Sequence, residues 1–180
     1  MPLAGREEIR QLPWLIPNFA TEDGRLKMSI HALVVETPTR RIVVDTGLGN
    51  DKKDRTVPTW NDRKGPFLGD LTAAGFPPES VDTVLCTHLH VDHVGWNTRL
   101  EGGRWVPTFE KARYVFGGIE YAYWRDHSPA PDKAAIFQDS VAPIVAAGQA
   151  DLVASDTRIC EEITLIPTPG HSPGHVSLHI

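Results

Sequence analysis

A mixed fold of helices and strands is predicted by two features of this 180-residue chain. Short runs of β-branched residues dominate its first half, and similar runs alternate with helical patterns in its second half. Apolar residues make up 41% of the chain, which at this length is enough for one core of ordinary size. Residues 1–180 are therefore expected to form a single domain of the α/β or α+β class.

The first predicted element is a β-hairpin. Residues 28–36 and 41–46 are rich in β-branched side chains, and the Thr-Pro-Thr of residues 37–39 separates them. The Asp-Thr-Gly of residues 45–47 ends the second strand in a turn. Residues 49–66 are polar and charged, so they predict a long loop of the kind that often carries function.

The remainder of the chain is predicted to alternate helices with strands. Helical patterns cover residues 67–74, 118–126 and 132–147. Strand patterns cover residues 81–86, a pair of strands within 104–116, and residues 150–154, 162–167 and 176–180. Between the last two strands, residues 168–175 are rich in proline and glycine and predict a rigid loop.

The charge and hydropathy of the chain argue against two classes of partner. The 18 Lys and Arg residues against 23 Asp and Glu give a net charge of −5, whereas proteins that follow nucleic-acid backbones usually present a basic face. No apolar run approaches the roughly 20 residues that cross a bilayer. Charged residues at 6–10 stand where a signal peptide would be apolar. We therefore expect a cytoplasmic protein that binds neither a membrane nor a nucleic acid.

Four potential metal ligands stand close together after the strand at residues 81–86. The chain reads HLHVDH from residue 88 to residue 93. Two residues apart on an extended backbone, His88 and His90 project to the same side and can bind one cation. Asp92 and His93 follow where the chain turns towards a helix, so they can point at a neighbouring position. Imidazole and carboxylate ligands together favour Zn²⁺, with Fe or Mn as alternatives.

Three further residues are candidates for supporting such a site. His171 stands in the glycine- and proline-rich loop, where it can point at a metal. His175 precedes the following strand and is expected to pack or to orient another group. Asp45 has two interpretations, since its carboxylate can cap backbone N–H groups of the turn or orient an imidazole through the second ring nitrogen.

Three ordered motifs together resemble the metallo-β-lactamase superfamily. VVDTG stands at residues 43–47, HLHVDH at 88–93 and PGHSPGH at 169–175, and the resemblance spans residues 28–180. It implies an α+β fold, the αββα sandwich, with a metal site at the edge of its two sheets. By the same resemblance, Asp45 would support the metal-binding loop. The ligands that the resemblance implies are His88, His90 and His171 for a first metal, and Asp92 and His93 for a second.

The resemblance also predicts that the sandwich is incomplete on its C-terminal side. Two further family ligands, a bridging aspartate and a last histidine, would lie beyond Ile180. A full-length protein would hold two Zn²⁺, whereas this chain is expected to bind at most one metal tightly. An uncovered sheet edge and apolar face favour association, so a homodimer is one expected form.

The activity implied by the resemblance is metal-dependent hydrolysis. A zinc-bound hydroxide would attack a carbonyl or phosphoryl centre of a small-molecule substrate, and Asp92 would act as the catalytic acid or base. The residues around HLHVDH look closest to the branch of acyl-homoserine lactonases and methyl-parathion-type phosphotriesterases, so the expected substrate is a lactone, an ester or a phosphotriester. Two alternatives stay open: a thioesterase similar to glyoxalase II, and an oxidoreductase similar to the persulfide dioxygenases, which hold a single iron.

Overall fold

The computed structural model describes residues 5–127 and 131–180. The chain divides into two compact units, Met1–Ile30 and His31–Ile180. Within the described ranges, no helix is long and apolar enough to cross a membrane.

The first unit consists of one short helix and several turns. Helix α1 covers Arg6–Arg10, and a single 3-10 turn follows at Pro13–Leu15. Ile9, Leu15 and Ala20 form its small buried core. The helix is too short for an apolar helical period to be recognised in the sequence.

The second unit is built on a five-stranded sheet. Its strands are β1 (Leu33–Glu36), β2 (Arg41–Val44), β3 (Thr83–Cys86), β6 (Arg113–Gly117) and β7 (Ala150–Val153). They lie side by side in that order, with β1 antiparallel to β2 and every other pair parallel. Two antiparallel hairpins accompany the sheet, namely β4 (Thr98–Glu101) with β5 (Arg104–Pro107), and β8 (Thr164–Pro167) with β9 (Val176–His179).

Both faces of the sheet are covered by apolar contacts. The helices of this unit are α2 (Phe67–Ala73), α3 (Val91–Val94), α4 (Gly118–Asp126), α5 (Pro131–Ser140) and α6 (Ala142–Ala146). On one face, Val84 and Phe116 belong to the apolar cluster that includes Ile144 of α6. On the other face, Leu85 belongs to a second cluster with Leu165 of β8. Helices, large sheet and hairpin therefore form successive layers, as the α+β sandwich requires.

The prediction that two strands within residues 104–116 pair with each other is wrong. Both strands exist, but β5 pairs with β4, and β6 lies between β3 and β7. The predicted helix at 132–147 is also divided into α5 and α6. The break fits Pro143, because proline lacks the N–H that would continue the hydrogen bonds of the preceding turn.

The predicted first hairpin is shorter than its apolar runs. Strand β1 begins at Leu33 rather than at residue 28, and β2 ends at Val44, its partner in the ladder. Asp45 follows with a φ of +56°, a left-handed conformation that ends the extended strand. Residues 28–32 therefore have no continuation of β2 opposite them.

The predicted long loop at residues 49–66 is fixed by buried charges. Lys52 is fully buried, and its Nζ donates to Thr98 Oγ1 at 2.6 Å and to the backbone oxygen of Asp139 at 3.0 Å. The same Nζ lies 3.6 Å from the centroid of the Trp105 ring. Arg55 Nη2 donates to both carboxylate oxygens of Asp139, at 2.9 and 2.8 Å. We call these five residues the Lys52 cluster.

In the wild type, the free energy of unfolding is expected to increase as the pH rises above about 7, and Lys52→Met is expected to remove the part of this increase that Lys52 causes. Burial lowers the pKa of Lys52 from 10.5 to about 7, although the Asp139 carboxylate opposes this shift. Between these two values the unfolded chain holds a proton that the folded protein has lost. The free energy of unfolding therefore rises with pH in this window, by at most about 1.4 kcal/mol per pH unit.

Urea titrations of the metal-free protein at about pH 7 and about pH 9 measure this effect. The wild type should gain stability at the higher pH, and so should Lys53→Met, which changes the exposed neighbouring residue. The Lys52→Met protein should lack this component of the gain. A gain of the same size in all three proteins would contradict the assignment.

Candidate metal centre

The predicted ligands lie at the carboxyl end of strand β3. His88 and His90 follow this strand in an irregular segment, and His90 is the residue that precedes helix α3. Asp92 and His93 belong to α3 itself, so the helix begins earlier than expected. In open parallel sheets, ligands bind at the carboxyl ends of the strands, and this site follows that rule.

Three imidazole rings converge at this edge of the sheet. His88 Nε2 lies 3.1 Å from His90 Nδ1, which lies 2.9 Å from His171 Nε2. One nitrogen of each residue falls within 4.8 Å of the other two. His88 is buried, His90 is half-buried and His171 is exposed, so the group opens to solvent on the His171 side.

The spacing and the protonation of these nitrogens suit a zinc ion. Two nitrogens bound to one tetrahedral zinc at about 2.0–2.1 Å lie about 3.3 Å apart, close to the observed distances. Burial, together with the neighbouring histidines, lowers the pKa of His88 to about 2. Burial and His171 likewise lower the pKa of His90. Both rings are therefore neutral near pH 7, which is the form that binds a metal.

His93 is held between two carboxylates. Its Nδ1 lies 2.8 Å from Asp45 Oδ2, and its Nε2 lies 3.4 Å from Asp92 Oδ2. Burial favours the neutral ring, but the two carboxylates outweigh it and raise the pKa of His93 to about 9. The hydrogen bond from His93 lowers the pKa of Asp92. Asp45 thus engages one ring nitrogen and leaves the other beside Asp92.

Backbone contacts between two motifs fix Asp45 in this role. Its Oδ1 accepts the Thr87 N–H at 2.8 Å, and the next residue, Thr46, donates its N–H to a carbonyl of α3 at 2.7 Å. Gly95 permits this close approach, because a Cβ there would lie 1.9 Å from the backbone carbon of Leu48. The structure therefore favours the second interpretation of Asp45, in which its carboxylate orients an imidazole.

The loop at residues 168–175 brings His171 into the group and gives His175 another contact. The ring centroid of His175 lies 4.8 Å from that of His88 and 6.2 Å from that of His171. Its Nδ1 lies 2.8 Å from Thr168 Oγ1 at the start of the loop. Burial, together with His171, lowers the pKa of His175. This geometry agrees with the expected packing or orienting role.

The motifs of this site lie in a segment that matches a known protein family. The sequence profile described as the metallo-β-lactamase superfamily matches residues 27–180, a range that contains every residue of the histidine group. The chain belongs to the metallo-β-lactamase superfamily. The α+β fold agrees with the fold class that this family implies.

Characterised members of this superfamily with similar sequences include N-acyl homoserine lactonases. The enzyme of Bacillus cereus is 25% identical over 174 residues, which cover 89% of this chain and 61% of that protein. The enzyme of Bacillus thuringiensis is 25% identical over 178 residues, covering 91% of this chain and 63% of that protein. The chain therefore spans about three-fifths of the length of these relatives.

Solved structures of the superfamily share the fold. The hydrolase AbOPH superposes with a TM-score of 0.69 at 26% identity, covering 95% of this chain and 56% of that one. A probable metal-dependent hydrolase from Staphylococcus aureus superposes with a TM-score of 0.72 at 22% identity, covering 94% of this chain and 59% of that one. AidC, a dizinc quorum-quenching lactonase solved with a product, superposes with a TM-score of 0.64 at 22% identity, covering 98% of this chain and 60% of that one. Because the last two structures are only 22% identical to this chain, they show a similar fold and nothing more.

A cavity of about 260 Å³ opens beside the histidine group. Candidate ligands form one side of it, and most of the remaining lining is apolar, namely the side chains of Leu89, Val91, Trp124, Ile136 and Phe137. Lys133 also borders the cavity, with its Nζ 5.3 Å from the centroid of the Trp124 ring. The cavity can therefore accept an apolar group next to the metal position.

One buried carboxylate near the site was not predicted from the sequence. Glu120 lies in the first turn of α4 and is 1% exposed. A single glutamate near a helix N-terminus is ordinary, because it interacts favourably with the helix dipole. Nothing in its spacing relates it to the histidine motifs, so only the folded structure shows what it contacts.

Proposed function

We propose that this chain carries the metal-binding part of a hydrolase that opens lactone or ester bonds of small molecules. In this proposal His88, His90 and His171 bind the first metal, and Asp92 and His93 face a second position. The convergence of three imidazole nitrogens beside an apolar cavity carries the proposal. The similarity to N-acyl homoserine lactonases supports a lactone as the first substrate class to test.

Zinc is the metal that the donor set favours. Neutral imidazoles with nearby carboxylates suit Zn²⁺, while Fe and Mn share part of this preference. When bound, zinc supplies a Lewis acid and a water-derived nucleophile at neutral pH. The residues of this chain would hold it, and they would also orient the substrate and move protons.

We expect Asp92 to transfer a proton in this reaction. Its carboxylate borders the cavity and lies next to His93 Nε2, and the hydrogen bond from His93 keeps the pKa of Asp92 low. An ionised carboxylate at this position can accept a proton from the attacking water and deliver one to the leaving oxygen. Asp45 holds the His93 ring from the opposite side.

The cavity favours substrates with an apolar substituent. Its apolar wall would bind an acyl chain or an aromatic group by excluding water, at about 25 cal/mol per Å² of buried apolar surface. The Lys133 ammonium at the border adds one site for a carbonyl or anionic oxygen. Acyl-homoserine lactones, aryl esters and phosphotriesters all offer such groups.

Asp92→Asn is expected to lower turnover more than substrate binding. Loss of a general acid or base typically costs about 10²–10⁴-fold in rate, so kcat should fall by at least about 100-fold while KM changes little. Steady-state kinetics of the zinc-loaded protein measure both constants, with zinc content determined for each sample. Asp70→Asn, on the exposed side of α2, is the control. Unchanged kcat in Asp92→Asn would remove the proton-transfer role.

Metal analysis combined with a substrate panel tests the proposed function. The expected result is a zinc-dependent activity on lactones or esters that a chelator abolishes and added zinc restores. Preference for thioesters would favour the thioesterase alternative. One bound iron with oxygen uptake in the presence of a persulfide would overturn hydrolysis in favour of the dioxygenase alternative.

A further inference from the structure

A buried carboxylate connects both loops that carry the three histidines. Glu120 Oε1 accepts the Leu89 N–H at 3.1 Å and the Trp124 Nε1–H at 2.7 Å. Its Oε2 accepts the Gly174 N–H at 2.9 Å. Within residues 5–127 and 131–180, no cationic side chain lies at ion-pair distance from it. Burial of an unpaired anion is costly, and these three donors provide the compensation.

Each of the three donors belongs to the surroundings of the histidine group. Leu89 is the residue between His88 and His90, and Gly174 belongs to the loop that carries His171. The ring centroid of Trp124 lies 5.2 Å from that of His90. The two carboxylate oxygens therefore connect the two loops through one rigid group.

The loop that carries His171 approaches helix α4 so closely that residue 174 has no room for a side chain. A Cβ on Gly174 would lie 2.3 Å from the backbone nitrogen of Glu120 and 2.7 Å from its Cα. A residue with a side chain would push the loop away and lengthen the hydrogen bond to Oε2. The close approach at Gly174 is therefore a second observation, independent of the hydrogen bonds, that this loop packs against Glu120.

We propose that Glu120 is a positioning residue for the metal centre. It holds the backbone of the His88–His90 segment and that of the His171 loop at the separation at which their imidazoles share one metal ion. This inference rests on the proposed metal site, and it assigns to Glu120 no contact with the metal or the substrate. Groups that orient ligands from behind typically contribute about 10–100-fold in metal affinity.

Glu120→Gln tests the proposal with almost no change of shape. Glutamine keeps one acceptor oxygen, but its amide nitrogen must face either the Gly174 N–H or the pair from Leu89 and Trp124. One loop is then released. We expect the zinc dissociation constant, measured by competition with a chromophoric chelator, to rise about 10–100-fold. The visible spectrum of the cobalt-substituted protein should also change, because the arrangement of the imidazoles changes.

A matched control separates positioning from general stability. Tyr114→Phe also removes a buried polar group, since Tyr114 Oη accepts the Phe109 N–H at 2.9 Å and donates to the Asn97 carbonyl at 3.0 Å. It should lower the thermal midpoint but leave zinc affinity and the cobalt spectrum unchanged. Zinc affinity in Glu120→Gln equal to that of the wild type would overturn the proposal. Glu120→Asp, too short to reach both loops, gives the same test if the glutamine variant does not fold.

The outcome is distinguishable from failure of the proposed function. His171→Ala, measured in the same assay, must weaken zinc binding if the metal site is correct. If His171→Ala weakens binding and Glu120→Gln does not, only the positioning role is wrong. If neither variant affects zinc affinity, the metal site itself is wrong and the positioning role with it.

Discussion

Replacing His88 with alanine is expected to lower zinc affinity by about 100-fold or more and to abolish metal-dependent activity. Structural zinc sites with four ligands bind with about 10–16 kcal/mol, or about 3 kcal/mol per ligand, and about 1.4 kcal/mol corresponds to a factor of ten. His88 is the most buried of the three histidines, and its Nε2 lies 3.1 Å from His90 Nδ1.

Competition with a chromophoric chelator measures this loss directly. His179→Ala is the matched control, because it removes an exposed imidazole of the terminal strand that lies outside the histidine group. The control should bind zinc as the wild type does. Wild-type affinity in His88→Ala would show that the metal is held elsewhere.

Replacing Asp139 with asparagine is expected to destabilise the fold by about 3–5 kcal/mol. The change keeps the shape of the side chain but leaves Arg55 buried without its counter-charge, and removal of one partner of a buried ion pair typically costs this much. For a protein of this size, the thermal midpoint should fall by about 6–20 °C. The effect comes from the Lys52 cluster and involves no candidate metal ligand.

Asp151→Asn provides the comparison for an exposed pair. Asp151 contacts Arg113 at the surface, with 42% of its side chain exposed, and such pairs contribute about 0–1 kcal/mol. Differential scanning calorimetry of the metal-free proteins should separate the two variants clearly. Equal thermal midpoints for Asp139→Asn and Asp151→Asn would contradict the account of the buried cluster.

The parts of the fold that the sequence predicts well are those with a local physical cause. The hairpin around residues 37–39, the helix at 67–74 and the strand at 81–86 each have apolar periodicity bounded by turn residues. The pairing of β5 was predicted wrongly, because pairing depends on contacts between strands that periodicity does not encode. Strand β4 was not predicted, because its segment is mostly polar and shows no apolar periodicity.

The candidate site shows the same division between local and distant information. Ligand-type residues at 88–93 are recognisable because metals require particular side chains at short spacing. Glu120 and the buried ion pair of Arg55 with Asp139 are not recognisable, because the partners that connect them to other elements of the fold lie 31 to 84 residues away in the chain. Their side chains acquire a role only when the fold brings those partners together.

A zinc-edge anomalous difference map from crystals of the zinc-loaded protein tests the central claim most directly. We expect a strong peak within about 2.0–2.1 Å of His88 Nε2, His90 Nδ1 and His171 Nε2. A weaker second peak beside Asp92 and His93 would agree with the proposed second position. A zinc peak at any other place, with these three imidazoles uncoordinated, would contradict the account.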